Sequence, residues 1–400
     1  MRRRVLQVFN QYRERGGEEK SALRIFEHAQ DVCEIDRLWW DSRDWDSKDG
    51  PGALGQLRRL FYNPDAAAEL RAKIREFRPD VLLCHNLYPI GSPAVYHVAQ
   101  SEGIPVIQYA HNFRPFSVGG SLWANNQPAL GSLQGHYWRE VVDGSWQNSR
   151  LKSALFAIVL KRLHSSGWLS SVKTWVCISE FMQKQFIAAG LNEEEVVALK
   201  HAWDPRSDEP SGVDQGHYVF LSRLVPEKGV SVLLEAWQLL EAELGEKTPK
   251  LVIGGVGSEE DAVRSSANQS QYIEYRGFID HESKVELLTS CRAMLAPSVW
   301  WEPLGLVTYE AYDYGKPMLA AASGGLTETV KNGETGFLFE PSNAVALAEV
   351  VQRLEQMPRD EIREMGLRGR QWLKTEFSPI VWKRKFGEIL AHATGEGKGS

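Results

Sequence analysis

Paired cysteines, long apolar runs and an excess of positive charge are all missing from this 400-residue chain. Cys33, Cys84, Cys177 and Cys291 lie far apart with no Cys-x-x-Cys spacing, which excludes a disulfide framework and a zinc knuckle and points to a reducing compartment. No segment approaches the roughly 20 apolar residues that cross a bilayer. The basic N-terminus is followed only by Val5-Leu-Gln-Val-Phe9, too short and interrupted for a signal peptide. A cytoplasmic protein is expected. The net charge of −6 argues against a general nucleic-acid binder, which needs a basic surface for phosphate backbones.

What is present is ample apolar content, 43% of residues, in a chain too long for one growing core, so two domains are expected. Short apolar runs alternate with helical patterns: Val5–Phe9, a helix over 18–30, Val81–Cys84, a helix over 93–101, then Val106–Tyr109. This is the rhythm of a doubly wound parallel sheet. It restarts after the polar, proline-containing stretch 204–216, read as a linker, with runs at 218–222, 250–254, 273–275, 293–296 and 317–321. Such α/β sheets bind ligands at the carboxyl ends of their strands.

The chemistry-bearing residues fall at those ends. Ser222-Arg-Leu-Val-Pro-Glu-Lys-Gly229 separates a strand from a helix, so Arg223, Lys228 and the helix N-terminus together suit a diphosphate. Glu302 and Glu310 follow another strand in Pro297-Ser-Val-Trp-Trp-Glu-Pro-Leu-Gly-Leu-Val-Thr-Tyr-Glu310. A helix opened by Pro303 would set the two carboxylates about 12 Å apart along one axis. The amides of Gly305, Leu306 and Val307 would then lie in its first turn, where unpaired N–H groups and the helix dipole favour oxygen ligands. Each residue also has an ordinary reading: solvated carboxylates for the acids, surface charges for the cations. Gly254-Gly-Val-Gly257 lacks the dinucleotide fingerprint spacing, and a tight turn suffices for it.

Together with Gly324-Gly-Leu-Thr-Glu-Thr-Val330 and Asn332-Gly-Glu-Thr-Gly-Phe-Leu338, these segments resemble the C-terminal domain of retaining family 4 (group 1) glycosyltransferases. Gly16-Gly-Glu-Glu19 and Gly103-Ile-Pro-Val-Ile-Gln-Tyr-Ala-His-Asn112 extend the likeness into the N-terminal half. The resemblance implies an α/β chain of GT-B fold, two Rossmann-like doubly wound domains facing a cleft. The expected domains are 1–205, on the acceptor side, and 206–377, binding the nucleotide sugar, with a last helix over 378–394 crossing back. By the same resemblance Glu310 would take the ribose hydroxyls, Arg223 and Lys228 the diphosphate, Glu302 the hydroxyls of the transferred sugar, and the backbone at Gly277, Phe278 and Ile279 the base. Gly16 and Gly17 would face the donor and His111 the anomeric centre, whereas His85, His97 and His136 are read as structural. Asn112 and Arg114 are divided between acceptor pocket and loop structure.

The implied reaction moves a hexosyl group from a nucleotide-diphosphate sugar to a hydroxyl of a saccharide or lipid-linked acceptor, with retention, in polysaccharide or glycolipid assembly. No metal and no cofactor are expected, because Arg223 and Lys228 supply the positive charge. A GT-B sugar-nucleotide epimerase and a non-catalytic GT-B interaction module are the alternatives. His201-Ala-Trp-Asp204 departs from the family's usual Asn-Gly-Val-Asp at this point. The apolar segment 151–164, with Lys152, Lys161 and Arg162 near its ends, reads either as a core helix or as one resting on an anionic membrane.

Overall fold

The structure, a computed structural model, describes residues 2–13, 16–47, 50–208, 210 and 212–395. Of the tail 395–400, expected from composition to lack order, residues 396–400 lie outside the described residues. Two compact units divide the chain, 1–202 with 379–400, and 203–378.

The first unit carries a wholly parallel sheet of β1 (Arg4–Gln11), β2 (Glu34–Asp41), β3 (Val81–Cys84), β4 (Val106–Ala110), β5 (Val172–Cys177) and β6 (Val196–Ala198), in the order β2-β1-β3-β4-β5-β6. Every residue of β3 and β4 is buried, as expected of parallel strands covered on both faces. Edge strand β2 mixes Asp36 and Arg37 into its pattern, so a search for continuous apolar runs passes over it. Helix α1 (Gly17–Ala29) follows β1, and α2 (Arg150–Ser165) buries Phe156, Val159, Leu160 and Leu163 while exposing Leu151 and Ile158.

The second unit repeats the plan with β7 (His217–Leu221), β8 (Lys250–Gly254), β9 (Ile273–Tyr275), β10 (Ala293–Ala296), β11 (Met318–Ala321) and β12 (Gly336–Phe339), ordered β9-β8-β7-β10-β11-β12 and again parallel. Trp237 on α3 (Val230–Leu244) packs edge-on against Tyr218 in the core beneath β7. The stretch read as a linker is stitched to this unit: the Arg206 N–H donates to Asp313, and Arg370 donates to the carbonyls of Arg206 and Asp208. The last helix, α5 (Pro379–Ala393), belongs to the first unit, where Trp382 Nε1 donates to the Tyr109 hydroxyl and Lys383 pairs with Asp31.

In each sheet the strand order reverses at one point, between β1 and β3 in the first and between β7 and β10 in the second. Loops leaving the strands on either side of such a point diverge to opposite faces and open a crevice at the carboxyl ends. The loops that carry Gly16, Gly17, Arg223, Lys228 and Glu302 leave strands at these two places, whereas Gly277, Phe278 and Ile279 follow the edge strand β9.

Candidate active site

At the second switch point, loops from distant parts of the sequence are locked together through backbone. The Glu227 carbonyl accepts the Val299 N–H at 3.0 Å. Gly229, at φ +75°, passes so close to the Pro297 carbonyl that a Cβ there would lie 1.9 Å from its oxygen. This contact delivers Lys228 to Glu302, Nζ to Oε2 at 2.7 Å, with both side chains mostly buried. The same oxygen accepts Ser298 Oγ at 3.1 Å and Trp300 Nε1 at 3.0 Å, and the ammonium also sits 5.0 Å from the centre of the Trp300 ring. Among the described residues Oε2 takes all three of these donors and Oε1 takes none, and Lys228 Nζ uses one of its three protons on a hydrogen bond. Arg223 is different. Its side chain is 67% exposed, and its nearest carboxylate is Glu227 at 3.9 Å.

The expected helix opened by Pro303 is not there. Helix α4 spans Leu306–Asp313 and begins after Gly305, whose φ of +85° interrupts any helical continuation from Pro303. The preceding residues instead dock on the second glycine motif: Gly325 N–H donates to the Glu302 carbonyl at 2.7 Å, and Ser323 Oγ to the Trp300 carbonyl at 2.5 Å. Glu302 and Glu310 therefore do not share a helix, and the 12 Å axial spacing does not apply. Glu302 stands before the helix, and Glu310, one turn inside it, pairs with Lys284 at 2.6 Å. Within α4, the Thr308 N–H turns back to the Gly305 carbonyl, and the Leu306 and Val307 amides are the first-turn donors beyond it.

Gly254-Gly-Val-Gly257 is not itself a turn: it runs against the loop after β7, accepting the Ser222 and Leu224 amides at the Gly254 and Val256 carbonyls, so closely that Cβ atoms at Gly255 and Gly257 would strike the carbonyls of Ser222 and Leu224. Gly255 N–H donates to the Gly277 carbonyl at 2.7 Å, which holds Gly277, the exposed Phe278 and Ile279 beside this segment.

At the first switch point Glu19 is buried, Tyr12, Glu18, Asn112 and Arg114 are partly buried, and Gly16 and Gly17 are exposed. Glu19 fastens the loop after β1 by accepting the Tyr12 and Gly16 amides at 2.9 and 2.7 Å. Glu18 accepts the Tyr12 hydroxyl at 3.0 Å and the Asn112 amide at 3.1 Å. Burial raises its pKa from the ordinary 4.5 to about 7, against the Tyr12 hydrogen bond and with help from the Glu19 charge. Gly16 and Gly17 need no glycine for packing: a Cβ at Gly16 would meet only the Glu19 carboxylate at 3.7 Å, and one at Gly17 would meet nothing. Arg114 turns inward, donating to the Val118 carbonyl at 2.6 Å.

His111, at the end of β4, is not alone. His85 Nδ1 lies 2.8 Å from His111 Nε2, and His111 Nδ1 lies 3.3 Å from His201 Nε2. The three imidazoles meet edge to edge at interplanar angles of 29° and 18°, and Tyr109 lies beside them within 5.2 to 5.9 Å between ring centroids. All three are buried, and burial drives each pKa down, His111 to about 3, so they are neutral at ordinary pH. A cavity of about 30 Å³ beside them is lined by Glu18, His85, Asn86, His111, Asn112 and Arg114.

Two sequence models match the chain: "Glycosyl transferases group 1" over residues 203–372 and "Glycosyltransferase Family 4" over residues 48–207. The chain belongs to this glycosyltransferase family. Glycogen synthase of Thermus thermophilus is 30% identical over 187 residues, covering 47% of this chain and 41% of that protein. O-antigen chain mannosyltransferase B of Escherichia coli is 27% identical over 223 residues, covering 52% and 56%. The matched part thus spans roughly half the length of these curated relatives. Among solved structures, Anabaena HepE in complex with UDP-glucose superposes with a TM-score of 0.64 at 16% identity, covering 97% of this chain and 99% of that one. Sucrose-phosphate synthase from Thermosynechococcus elongatus does so at 0.68 and 15%, covering 99% and 100%. These neighbours share the fold, a GT-B arrangement of paired Rossmann-like sheets.

In this group 1 glycosyltransferase two of the second-unit residues named from sequence, Lys228 and Glu302, meet directly, while Arg223, Glu310 and Gly277 have other partners, and His111 comes with partners that sequence reasoning assigned elsewhere. His85 was read as structural and His201 noticed only as a departure from the family pattern. Gln7, buried in mid-strand, carries no motif at all. Glu18 had one available signal, its place beside the glycine pair.

Proposed function

We propose that the chain is a retaining, metal-independent hexosyltransferase that moves a sugar from a nucleotide diphosphate to a hydroxyl acceptor in polysaccharide or glycolipid assembly. The observation that carries this reading is the Lys228–Glu302 junction at the second switch point, where, among the described residues, an ammonium with one of its three protons bonded and a carboxylate with one oxygen unbonded are held side by side. Lys228 and exposed Arg223 would neutralise the diphosphate, aided by the α4 amides of Leu306 and Val307. Glu302 Oε1 would accept a sugar hydroxyl, and Glu310 would exchange Lys284 for the ribose diol. The backbone at Gly277, Phe278 and Ile279 would meet the base.

On the first unit, Gly16 and Gly17 support the same reading, because the fold leaves their flanks open and a ligand gains from the absent side chains. His111 would address the transferred sugar. Charge placement and orientation carry the reaction, with the departing phosphate assisting deprotonation of the incoming hydroxyl. That the HepE structure holds UDP-glucose supports a uridine nucleotide as the first donor to try.

The test is nucleoside diphosphate release from UDP-, GDP- and ADP-sugars with and without saccharide or lipid-linked acceptors. Acceptor-dependent release is expected. Sugar epimerisation with diphosphate release independent of acceptor would indicate the epimerase alternative, and absence of both binding and turnover the interaction module.

A further inference from the structure

The hydrogen bonds around Gln7 fix where every proton in the histidine file must lie. Gln7 Oε1 faces the Trp39 indole N–H at 3.2 Å, which can only donate, and Gln7 Nε2 faces the Ala22 carbonyl at 2.9 Å, which can only accept. The amide therefore has one orientation, and its second Nε2 proton points at His85 Nε2, 2.8 Å away. His85 must accept there and so carries its proton on Nδ1, directed at His111 Nε2. By the same logic His111 accepts at Nε2, carries its proton on Nδ1 and donates to His201 Nε2. Reversing the order would set the Trp39 N–H against an amide NH₂ and the Ala22 carbonyl against the amide oxygen, two clashes in a buried setting.

We propose that Trp39, Gln7 and His85 are positioning residues that lock His111 as a hydrogen-bond donor at Nδ1, through which it donates to a hydroxyl oxygen of the transferred sugar, with His201 Nε2 the acceptor that the sugar displaces. The inference rests on the reading of His111 as a donor-sugar contact. The bond to be exchanged is the longer of its two, 3.3 Å against 2.8 Å. The ring then serves as a neutral donor and not as a base: its lone pair, on Nε2, is occupied by His85. Fixing the tautomer removes the alternative Nε2–H form, which would offer the sugar an acceptor in the wrong place.

The experiment uses the full chain with isotope-labelled histidines and nitrogen–proton correlation spectra that report the tautomer of each ring. His85, His111 and His201 are all expected as Nδ1–H forms from about pH 6 to 8. His111 found as Nε2–H or as imidazolium overturns the proposal. Because the order is imposed from the Gln7 end, His201→Ala should leave the His111 tautomer unchanged, while Gln7→Met and His85→Phe should each release it to a mixture. His85→Asn, which keeps a donor toward His111, should restore it. The opposite pattern, with His201→Ala alone disturbing His111, overturns the assignment.

On transfer activity, Gln7→Met is expected to lower kcat about tenfold or more with KM changed less than about threefold, and His85→Asn to recover most of the loss relative to His85→Phe. Added nucleotide sugar should shift the His111 Nδ1–H signal. Turnover without that shift removes the sugar contact. Failure of every nucleotide sugar to bind or turn over counts against the transferase reading itself, while the proton order is read directly from the spectra of the chain without added sugar.

Discussion

The two switch points of this molecule solve the same topological problem with opposite chemistry. In the first sheet the crevice at β1 and β3 is filled by neutral histidines and a carboxyl whose pKa burial pushes up to about 7. In the second, the crevice at β7 and β10 holds formal charges: an ammonium on a carboxylate, a largely exposed guanidinium and a second ion pair at Glu310. A polyanion needs cations that remain charged and reachable, which partial exposure preserves. Directing a neutral sugar hydroxyl needs defined donors and acceptors, which burial sharpens because an unmatched polar group there is costly. On the proposed reading, one fold divides a reaction between charge neutralisation and hydroxyl orientation by which side chains each switch point keeps charged and which neutral.

Removing charge from the second switch point gives the largest expected effect. Lys228→Ala should lower transfer about 100- to 1,000-fold, read as nucleoside diphosphate release, with the fold retained by circular dichroism. Near-normal turnover would falsify the division of labour. Arg223→Ala, losing a more solvated charge, should cost less, about tenfold.

The backbone of that site gives the next test. Gly305→Ala forces a side chain into φ +85° and places its Cβ 2.5 Å from Leu326 Cδ2, so unfolding free energy should fall by about 1–3 kcal/mol in urea titration. Gly17→Ala at the first switch point meets open space. It should leave stability within about 0.5 kcal/mol, so that any loss of donor binding in that variant reports the ligand and not the fold.

A pH test sharpens the contrast from the other side. The Glu18 pKa is higher in the folded than in the unfolded chain, so its stabilising contribution is complete below about pH 4.5 and is lost as pH rises through about 7. Glu18→Gln should therefore gain about 1–2 kcal/mol on wild type between pH 5 and pH 8, measured by denaturant unfolding at both. An unchanged gap would mean that the carboxyl is solvated. The smallest effect concerns α2, whose exposed Leu151 and Ile158 stand with Lys152, Lys161 and Arg162 on the first unit. Flotation with anionic vesicles should weaken a few-fold in the Leu151→Ser, Ile158→Ser double variant. Equal retention on neutral lipid would assign those residues no membrane role.

Legibility in the sequence followed burial pattern and motif locality. The strands Val81–Cys84 and Ala293–Ala296, fully buried, and Lys250–Gly254, buried after Lys250, stood out as apolar runs, because covering both faces of a parallel strand leaves few polar positions. Strand β2, on the sheet edge, gave no such run, and β6 offered only Val196-Val-Ala-Leu199 beside three glutamates, with no helical pattern after it to mark it as a strand. Pro303 suggested a helix start, and Gly305 decided otherwise. A proline fixes only its own φ and tolerates the first helical turn, whereas the left-handed backbone at Gly305 ends continuity outright.

Family, αβ alternation and the charged candidates of the second unit were readable along the chain, because those depend on local periodicity and on residues a few positions apart. That Lys228 rests on Glu302, that Glu310 is held by Lys284, and that Gln7, His85, His111 and His201 form one directed file emerged with folding alone. These contacts join residues about 25 to 90 positions apart through the register of parallel strands. Hydrogen-bond direction is a property of where atoms meet, which no spacing along the chain encodes.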